Sequence, residues 1–296
     1  MILFIIFGVG LVAGFVDAIA GGGGLIMLPG LLFSGLPVGS AIATNKLCGT
    51  FGALTSSLKF AQAKQIDWRA CIVMGIPAVI GAYIGSSSID KLPNDWAEPL
   101  VIALMVVITL FVVFNPGFGM KKSGEGEKMR SDHAASKNTT LKSATLKSTE
   151  LSSNLSPNSS PNPSSNPSPN LSPKRWIFGI AAGGVIGFHD GFFGPGTGIF
   201  LVFSLLSLWS LDFLRGTGTT KVINLMTNVT ALITFAAAGH IDYSKGIWGA
   251  LGVGIGSLVG ATCATRQGAK IIKPIFITVT IALIGKLALD YLNKQF

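Results

Sequence analysis

Apolar runs long enough to cross a bilayer alternate with short polar segments along most of the chain, at Met1–Ala18, Ala70–Ser88, Ala97–Phe114, Gly246–Ala264 and Ile271–Leu292. At about 1.5 Å of rise per residue, a helix of about 18 residues covers most of a hydrocarbon core about 30 Å thick, so each run predicts a transmembrane helix. Two kinds of segment depart from this plain pattern. Leu25–Leu36 and Ile199–Trp209 are apolar but short, and each follows a glycine-rich break, Gly21-Gly22-Gly23-Gly24 in one case and Gly194-Pro195-Gly196-Thr197-Gly198 in the other. Pro37–Lys59 and Gly216–Ala238 predict long helices spotted with polar residues, which must face protein or water rather than lipid. With Trp176–Phe188 added, each half of the chain carries five apolar segments, ten in all.

The two halves repeat. A shift of 175 residues pairs Thr44 with Thr219, Lys46 with Lys221, Phe60 with Phe235, Asp67 with Asp242, Gly81 with Gly256 and Gly85 with Gly260; nearer the break the shift is 173, from Asp17 to Asp190. The expected organisation is a membrane repeat over 1–115, a linker over 116–174 and a second membrane repeat over 175–296. The linker is rich in Ser, Pro, Asn, Thr and Lys, cannot bury a core and is expected to be disordered. Its sequons at Asn138, Asn154, Asn158 and Asn170 matter only if it faces a glycosylating lumen.

Composition sharpens this. Hydrophobic residues make up 49% of the chain and charged residues 12%, with mean hydropathy +0.59, against roughly 25% charge in a soluble domain. The fold class expected is therefore an all-α polytopic membrane protein. Met1–Ala20 resembles a cleaved leader, but it lacks a basic start and Gly14–Asp17 recurs in mid-chain at Gly187–Asp190, so it is read as a span. The net charge of +9 does not signal nucleic acid, because Lys and Arg lie in short segments between apolar runs, where they set topology. Lys59, Lys64 and Arg69 follow the polar-spotted helix of the first half, and the next loop is acidic through Asp90, Asp95 and Glu98. The second half reverses the bias, with Arg266, Lys270 and Lys273 in the later loop. Opposite bias in equivalent loops predicts inverted repeats with the linker cytoplasmic and both termini outside. Four spans plus a re-entrant hairpin per half is the rival arrangement, and it leaves the reversal unexplained.

Candidate chemistry gathers at the breaks. Lys46 sits about 9 Å into its helix by rise if that helix starts near Ser40. A lysine at the centre of a span costs about 2.5–3.5 kcal/mol on insertion scales and marks a pathway or a paired site. Lys46 and Lys221 at equivalent positions supply positive potential for an anion, with Thr44, Asn45, Thr219 and Thr220 as donors; the alternative is that the lysines only snorkel or neutralise Asp17 and Asp190. Glycine lets backbone N–H groups approach a ligand, so Gly22, Gly23, Gly24, Gly196 and Gly198 are candidate contacts, aided by the positive ends of the short helices. His189, beside Asp190, is a candidate proton relay, although its counterpart is Val16. Cys48, Cys71 and Cys263 have no metal or redox spacing and read as buried small side chains. No metal, cofactor or catalytic constellation is expected, and an intramembrane enzyme is disfavoured.

The segments Gly14-Phe15-Val16-Asp17 with the glycine run and Pro29, then Ala43-Thr44-Asn45-Lys46, and their second-half counterparts, make the chain resemble the TauE/SafE sulfite exporter family, also described as the sulfite and organosulfur anion transporter superfamily. The resemblance covers both halves and everything except the linker. It implies a secondary transporter of sulfite, sulfonates or related small anions, in which Lys46 and Lys221 attract the anion and Asp17 and Asp190 pair with the lysines or carry coupling protons. The expected function is proton-coupled export of a small sulfur oxyanion by alternating access in the cell (plasma or inner) membrane, with a passive anion channel as the alternative. The expected partners are the anion and the lipid bilayer, with a homo-oligomer allowed.

Overall fold

The computed structural model describes residues 1–89 and 173–267. Among the described residues all regular structure is helical: α1 (Ile2–Ala20), α2 (Gly24–Phe33), α3 (Val38–Gln62), α4 (Trp68–Ser88), α5 (Pro173–Phe192), α6 (Thr197–Trp209), α7 (Phe213–Ala237) and α8 (Tyr243–Gln267). The chain is therefore an all-α protein in which α1–α4 and α5–α8 repeat one order of long, short, long and long helices. The fifth segment expected in each half, 97–114 and 271–292, lies outside the described residues, as do the loops at 90–98 and 270–273 and the linker up to residue 172.

Local chemistry sets the helix ends. Gly21, at φ 75°, closes α1 with its N–H on the Asp17 carbonyl at 2.8 Å, a left-handed cap that glycine adopts without a Cβ penalty. Aspartate starts three of the long helices: Asp67 accepts from the Ala70 N–H at 3.0 Å, Asp212 from Arg215 N–H at 3.0 Å and Asp242 from Lys245 N–H at 2.9 Å. Helix α5 begins at Pro173, two positions inside the stretch expected to be linker. Proline suits a first helical position because its missing N–H would have had no partner there.

Contacts between helices fix their directions. Gly10 lies against Gly249 and Gly252, Leu11 against Gly256 and Phe15 against Gly260, so α1 and α8 run parallel; Thr44 against Gly246 and Gly52 against Ser257 align α3 with them. Likewise Met74, Ala78 and Ala82 meet Gly183, Gly187 and Gly191, making α4 and α5 parallel, and Gly75 meets Ile223 and Met226 on α7. Phe60 beside Gly218 and Gly49 beside Asn228 make α3 and α7 antiparallel. Thus α1, α3 and α8 run one way and α4, α5 and α7 the other, and each helix runs opposite to its repeat counterpart. The long helices of one half also take their closest neighbours from the other half.

Small residues build these seams. A Cβ on Gly10 would fall 2.8 Å from the Gly249 carbonyl oxygen, a separation only glycine permits. Large apolar side chains point outward instead: Ile72, Ile76 and Ile80 on α4 and Ile247, Leu251 and Ile255 on α8 are exposed. Polar residues inside and isoleucine outside is the reverse of a water-soluble surface. Ile2–Ala20, Trp68–Ser88 and Tyr243–Arg266 are long and apolar enough to cross a membrane, and α2 and α6 are shorter apolar helices.

Candidate functional site

The two glycine breaks meet at the centre of the described helices, where a Cβ on Gly21 would fall 2.7 Å from the Gly198 carbonyl carbon. Helices α2 and α6 start there, and α3 and α7 pass beside them. Lys46 and Lys221 each lie eight residues beyond the first residue of α3 and α7, about 12 Å by helix rise. Helix α3 starts at Val38 rather than near Ser40, which places Lys46 deeper than the sequence suggested. Both lysines are buried, at 1% and 0% exposure.

Each lysine meets the aspartate of the opposite half. Lys46 Nζ lies 3.0 Å from Asp190 Oδ1 on α5, and Lys221 Nζ lies 2.9 Å from Asp17 Oδ2 on α1. Helix direction explains the exchange: α7 and α1 run antiparallel, as do α3 and α5, so each lysine is carried to the aspartate that the other half holds before its break. The pairs are alike by repeat but unlike in detail. Lys221 Nζ also donates to the Asp17 carbonyl, and the Gly23 N–H donates to Asp17 Oδ1 at 3.2 Å. Asp190 Oδ2 is buried with no hydrogen-bond partner among the described residues.

Between the pairs lies a cavity of about 50 Å³, where a single water needs roughly 10–15 Å³ on such a measure. Its wall includes Asp17, Asn45, Lys46, Asp190, Asn224 and Asn228, and the backbone of Gly23, Gly24, Gly196 and Gly198. Gly22 instead approaches the Ile199 side chain, and Lys221 stands behind Asp17, outside the wall.

The threonines expected as donors face elsewhere. Thr219 Oγ1 accepts from the Asp67 N–H at 2.9 Å and donates to the Arg215 carbonyl at 2.7 Å, while Thr44 Oγ1 accepts from the Asp242 N–H at 3.0 Å. Each thus ties one half's long helix to the start of the other half's last described helix. Thr220 Oγ1 is buried without a partner among the described residues. His189 Nδ1 lies 3.3 Å from Thr197 Oγ1, and its ring packs edge-on against Phe193 and Phe200, outside the cavity wall. Cys48 and Cys71 are buried and Cys263 is half-buried.

Asn224 and Asn228 escaped the sequence reading. They follow Lys221 at spacings of three and seven and so share its helix face. Their counterparts in the first half are Gly49 and Ala53, which leave the space that the two carboxamides enter: a Cβ on Gly49 would fall 2.8 Å from Asn228 Oδ1.

A family profile described as sulfite exporter TauE/SafE matches residues 6–287. Among curated proteins, the chain is 29% identical over 289 residues to a probable membrane transporter protein of Sinorhizobium sp., covering 98% of this chain and 93% of that one. It is 27% identical over 289 residues to a probable membrane transporter protein of Haemophilus influenzae (98% and 95% covered) and 23% identical over 283 residues to one of Bacillus subtilis (95% and 97% covered). No solved structure matches the chain.

Proposed function

Because the chain belongs to the sulfite exporter TauE/SafE family and is a membrane transporter, we propose that it carries a small sulfur oxyanion, sulfite or an organosulfonate, by proton-coupled transport through a multi-pass fold in the cell (plasma or inner) membrane. The observation that carries this reading is the cavity wall, in which a buried ammonium, three carboxamides and glycine backbone, together with the lysine-paired carboxylates of Asp17 and Asp190, surround a space of about 50 Å³. Hydrogen-bond donors of this kind match the oxygens of a sulfur oxyanion, and the absence of a Cβ at the glycines brings peptide dipoles within reach. In this reading Lys46 is the counter-charge of the bound anion, Asn45, Asn224 and Asn228 orient it, and Lys221 braces Asp17.

The arrangement also suits alternating access. Antiparallel counterpart helices and glycine seams allow one half to rock against the other around a fixed site. Lys59, Lys64, Arg69, Arg215 and Arg266, with Lys174 and Arg175 at the start of α5, fall at the helix ends on one side of the bundle. By the positive-inside rule that side is the cytoplasm, which sets the N-terminus outside.

The test is uptake of labelled sulfite into proteoliposomes with and without an imposed proton gradient, competed by sulfate, methanesulfonate, taurine and acetate. Saturable, gradient-dependent uptake competed by a sulfur anion and lost in Lys46→Met is the expected result. Non-saturating flux indifferent to the gradient would replace the carrier with a channel, and preference for acetate would overturn the substrate class.

A further inference from the structure

The two ion pairs have equivalent places in the repeat, yet only one is built to change its charge. Asp17 has both oxygens hydrogen-bonded, Oδ2 to Lys221 Nζ at 2.9 Å and Oδ1 to the Gly23 N–H at 3.2 Å, so neither is left to carry a hydrogen. Lys221 keeps the Asp17 carbonyl as a further acceptor and lies outside the cavity wall, so an arriving anion does not reach it. Asp190 has one bonded oxygen, to Lys46 at 3.0 Å; the other is buried without a partner among the described residues, in a side chain 3% exposed that lines the cavity. A protonated carboxyl needs a free oxygen to carry its hydrogen, and Asp190 has one.

Charge balance then forces a choice. The site holds two lysines and two aspartates in pairs, and is neutral before any anion enters. Adding an anion to a neutral, buried site leaves an uncompensated charge, which a low-dielectric interior strongly disfavours. The site recovers neutrality if one carboxylate takes a proton. We infer that Asp190 is the coupling residue: the anion replaces it as the counter-ion of Lys46 while Asp190 takes up one proton, so each monovalent anion moves together with one proton.

The proton comes from water on the side to which the cavity is open, adds to Asp190 Oδ2, and leaves when the anion dissociates and Lys46 recaptures the carboxylate. A monovalent anion plus one proton transfers no net charge, and a divalent anion leaves one negative charge on the loaded site. The groups facing Asp190 fit this assignment. Helix α3 presents Lys46; α1 presents Asp17, neutralised by Lys221 of α7; α7 presents the uncharged Asn224 and Asn228; α6 presents Thr197; α2 has no ionisable side chain, and the one on α4 at this level, Tyr83, is exposed. His189, the other candidate, also has a buried Nε2 without a partner among the described residues, but its Nδ1 lies at Thr197, its ring lies between Phe193 and Phe200, and it stands outside the cavity wall.

This inference rests on the proposed anion transport and separates from it experimentally. Purified wild-type protein in detergent and weak buffer is titrated with sulfite, sulfate, methanesulfonate and acetate while thermal stability reports binding. A pH dye counts protons, corrected by a protein-free titration of each anion. If no anion of the panel binds, the anion-transport reading itself fails. For an anion that binds, uptake of about one proton per anion is expected, and binding with no proton uptake overturns the inference. Lys221→Met/Asp17→Asn removes both charges of the Lys221–Asp17 pair and leaves the site neutral, so it should keep the ratio near one, and loss of uptake in that variant would move the coupling site to Asp17. Asp190→Asn in proteoliposomes should still exchange anion for anion but no longer accumulate it on a proton gradient; accumulation equal to wild type overturns the assignment. Should Asp190→Asn fail to purify as a folded protein, the ratios of the wild type and of Lys221→Met/Asp17→Asn decide the question alone.

Discussion

Removing the ammonium of Lys221 separates the two lysines most sharply. Lys221→Met leaves the Asp17 carboxylate with only the Gly23 N–H, in a site where the lysine was fully buried. Breaking a buried pair from one side costs about 3–5 kcal/mol, because the surviving charge keeps its desolvation penalty. The Asp17 side chain retains 19% exposure toward the cavity and can draw water from it, which favours the lower end. At roughly 2–4 °C per kcal/mol for chains of this general size, a loss of about 3 kcal/mol lowers the melting temperature by about 6–12 °C. Adding Asp17→Asn removes the stranded charge, so Lys221→Met/Asp17→Asn should regain at least half of that loss. The assay is thermal unfolding in detergent, repeated with a saturating anion; at about 100 times its Kd the anion should contribute about 2.7 kcal/mol to any variant with an intact site. Lys221→Met/Asp17→Asn, whose site is neutral again, should keep this anion-dependent stabilisation and Lys46→Met should lose it. A double variant that melts near wild type but no longer responds to anion would show that the Lys221–Asp17 pair contacts the ligand. A double variant no better than the single one would show that the pair carries no coupling energy.

Three other substitutions probe separate parts of the argument. Thr219→Val leaves the Asp67 N–H without its acceptor and should cost about 1–3 kcal/mol in thermal stability with the anion Kd unchanged, since the hydroxyl faces the α3–α4 connection and not the cavity. Gly49→Ala sets a methyl group 2.8 Å from Asn228 Oδ1, an atom that can swing away, so anion affinity measured by thermal shift should fall several-fold while the unliganded melting temperature stays near wild type. Gly10→Ala presses on the Gly249 backbone, which cannot swing, and should lower the melting temperature by the equivalent of about 1–3 kcal/mol with anion affinity largely kept.

Much of this was legible from the alternation of apolar and polar stretches. Four helices of each half lie near the expected positions, with Ile199–Trp209 extended by only two residues at its start, because glycine breaks and capping residues are local signals. The burial of Lys46 and Lys221 was legible too, since a charge inside an apolar run has nowhere else to go. The choice of partner was not. A repeat tells which residues are equivalent, whereas the pairing of Lys46 with Asp190 depends on helix direction and on which helices touch. Searching for matched residues also hid the asymmetry: Asn224 and Asn228 correspond to Gly49 and Ala53, so a filter that keeps only shared chemistry discards both. Thr44 and Thr219 passed that filter because their matched role is to hold Asp242 and Asp67, a structural duty that repeats as faithfully as a binding one.

The exchange of neighbours between the halves has a consequence for biosynthesis. Helix α1 packs chiefly on α8, and α4 on α5, so the first half enters the membrane with its glycine-lined faces uncovered. About 250 residues separate the end of α1 from the end of α8, and at ~5–20 residues per second the ribosome takes on the order of ten to fifty seconds to supply the missing partner. During that interval α1 must be held as an inserted but undocked helix, by lipid or by the insertion machinery. Neither half constitutes a folding unit, and two fragments cut within the linker should survive quality control only when both are made in the same cell.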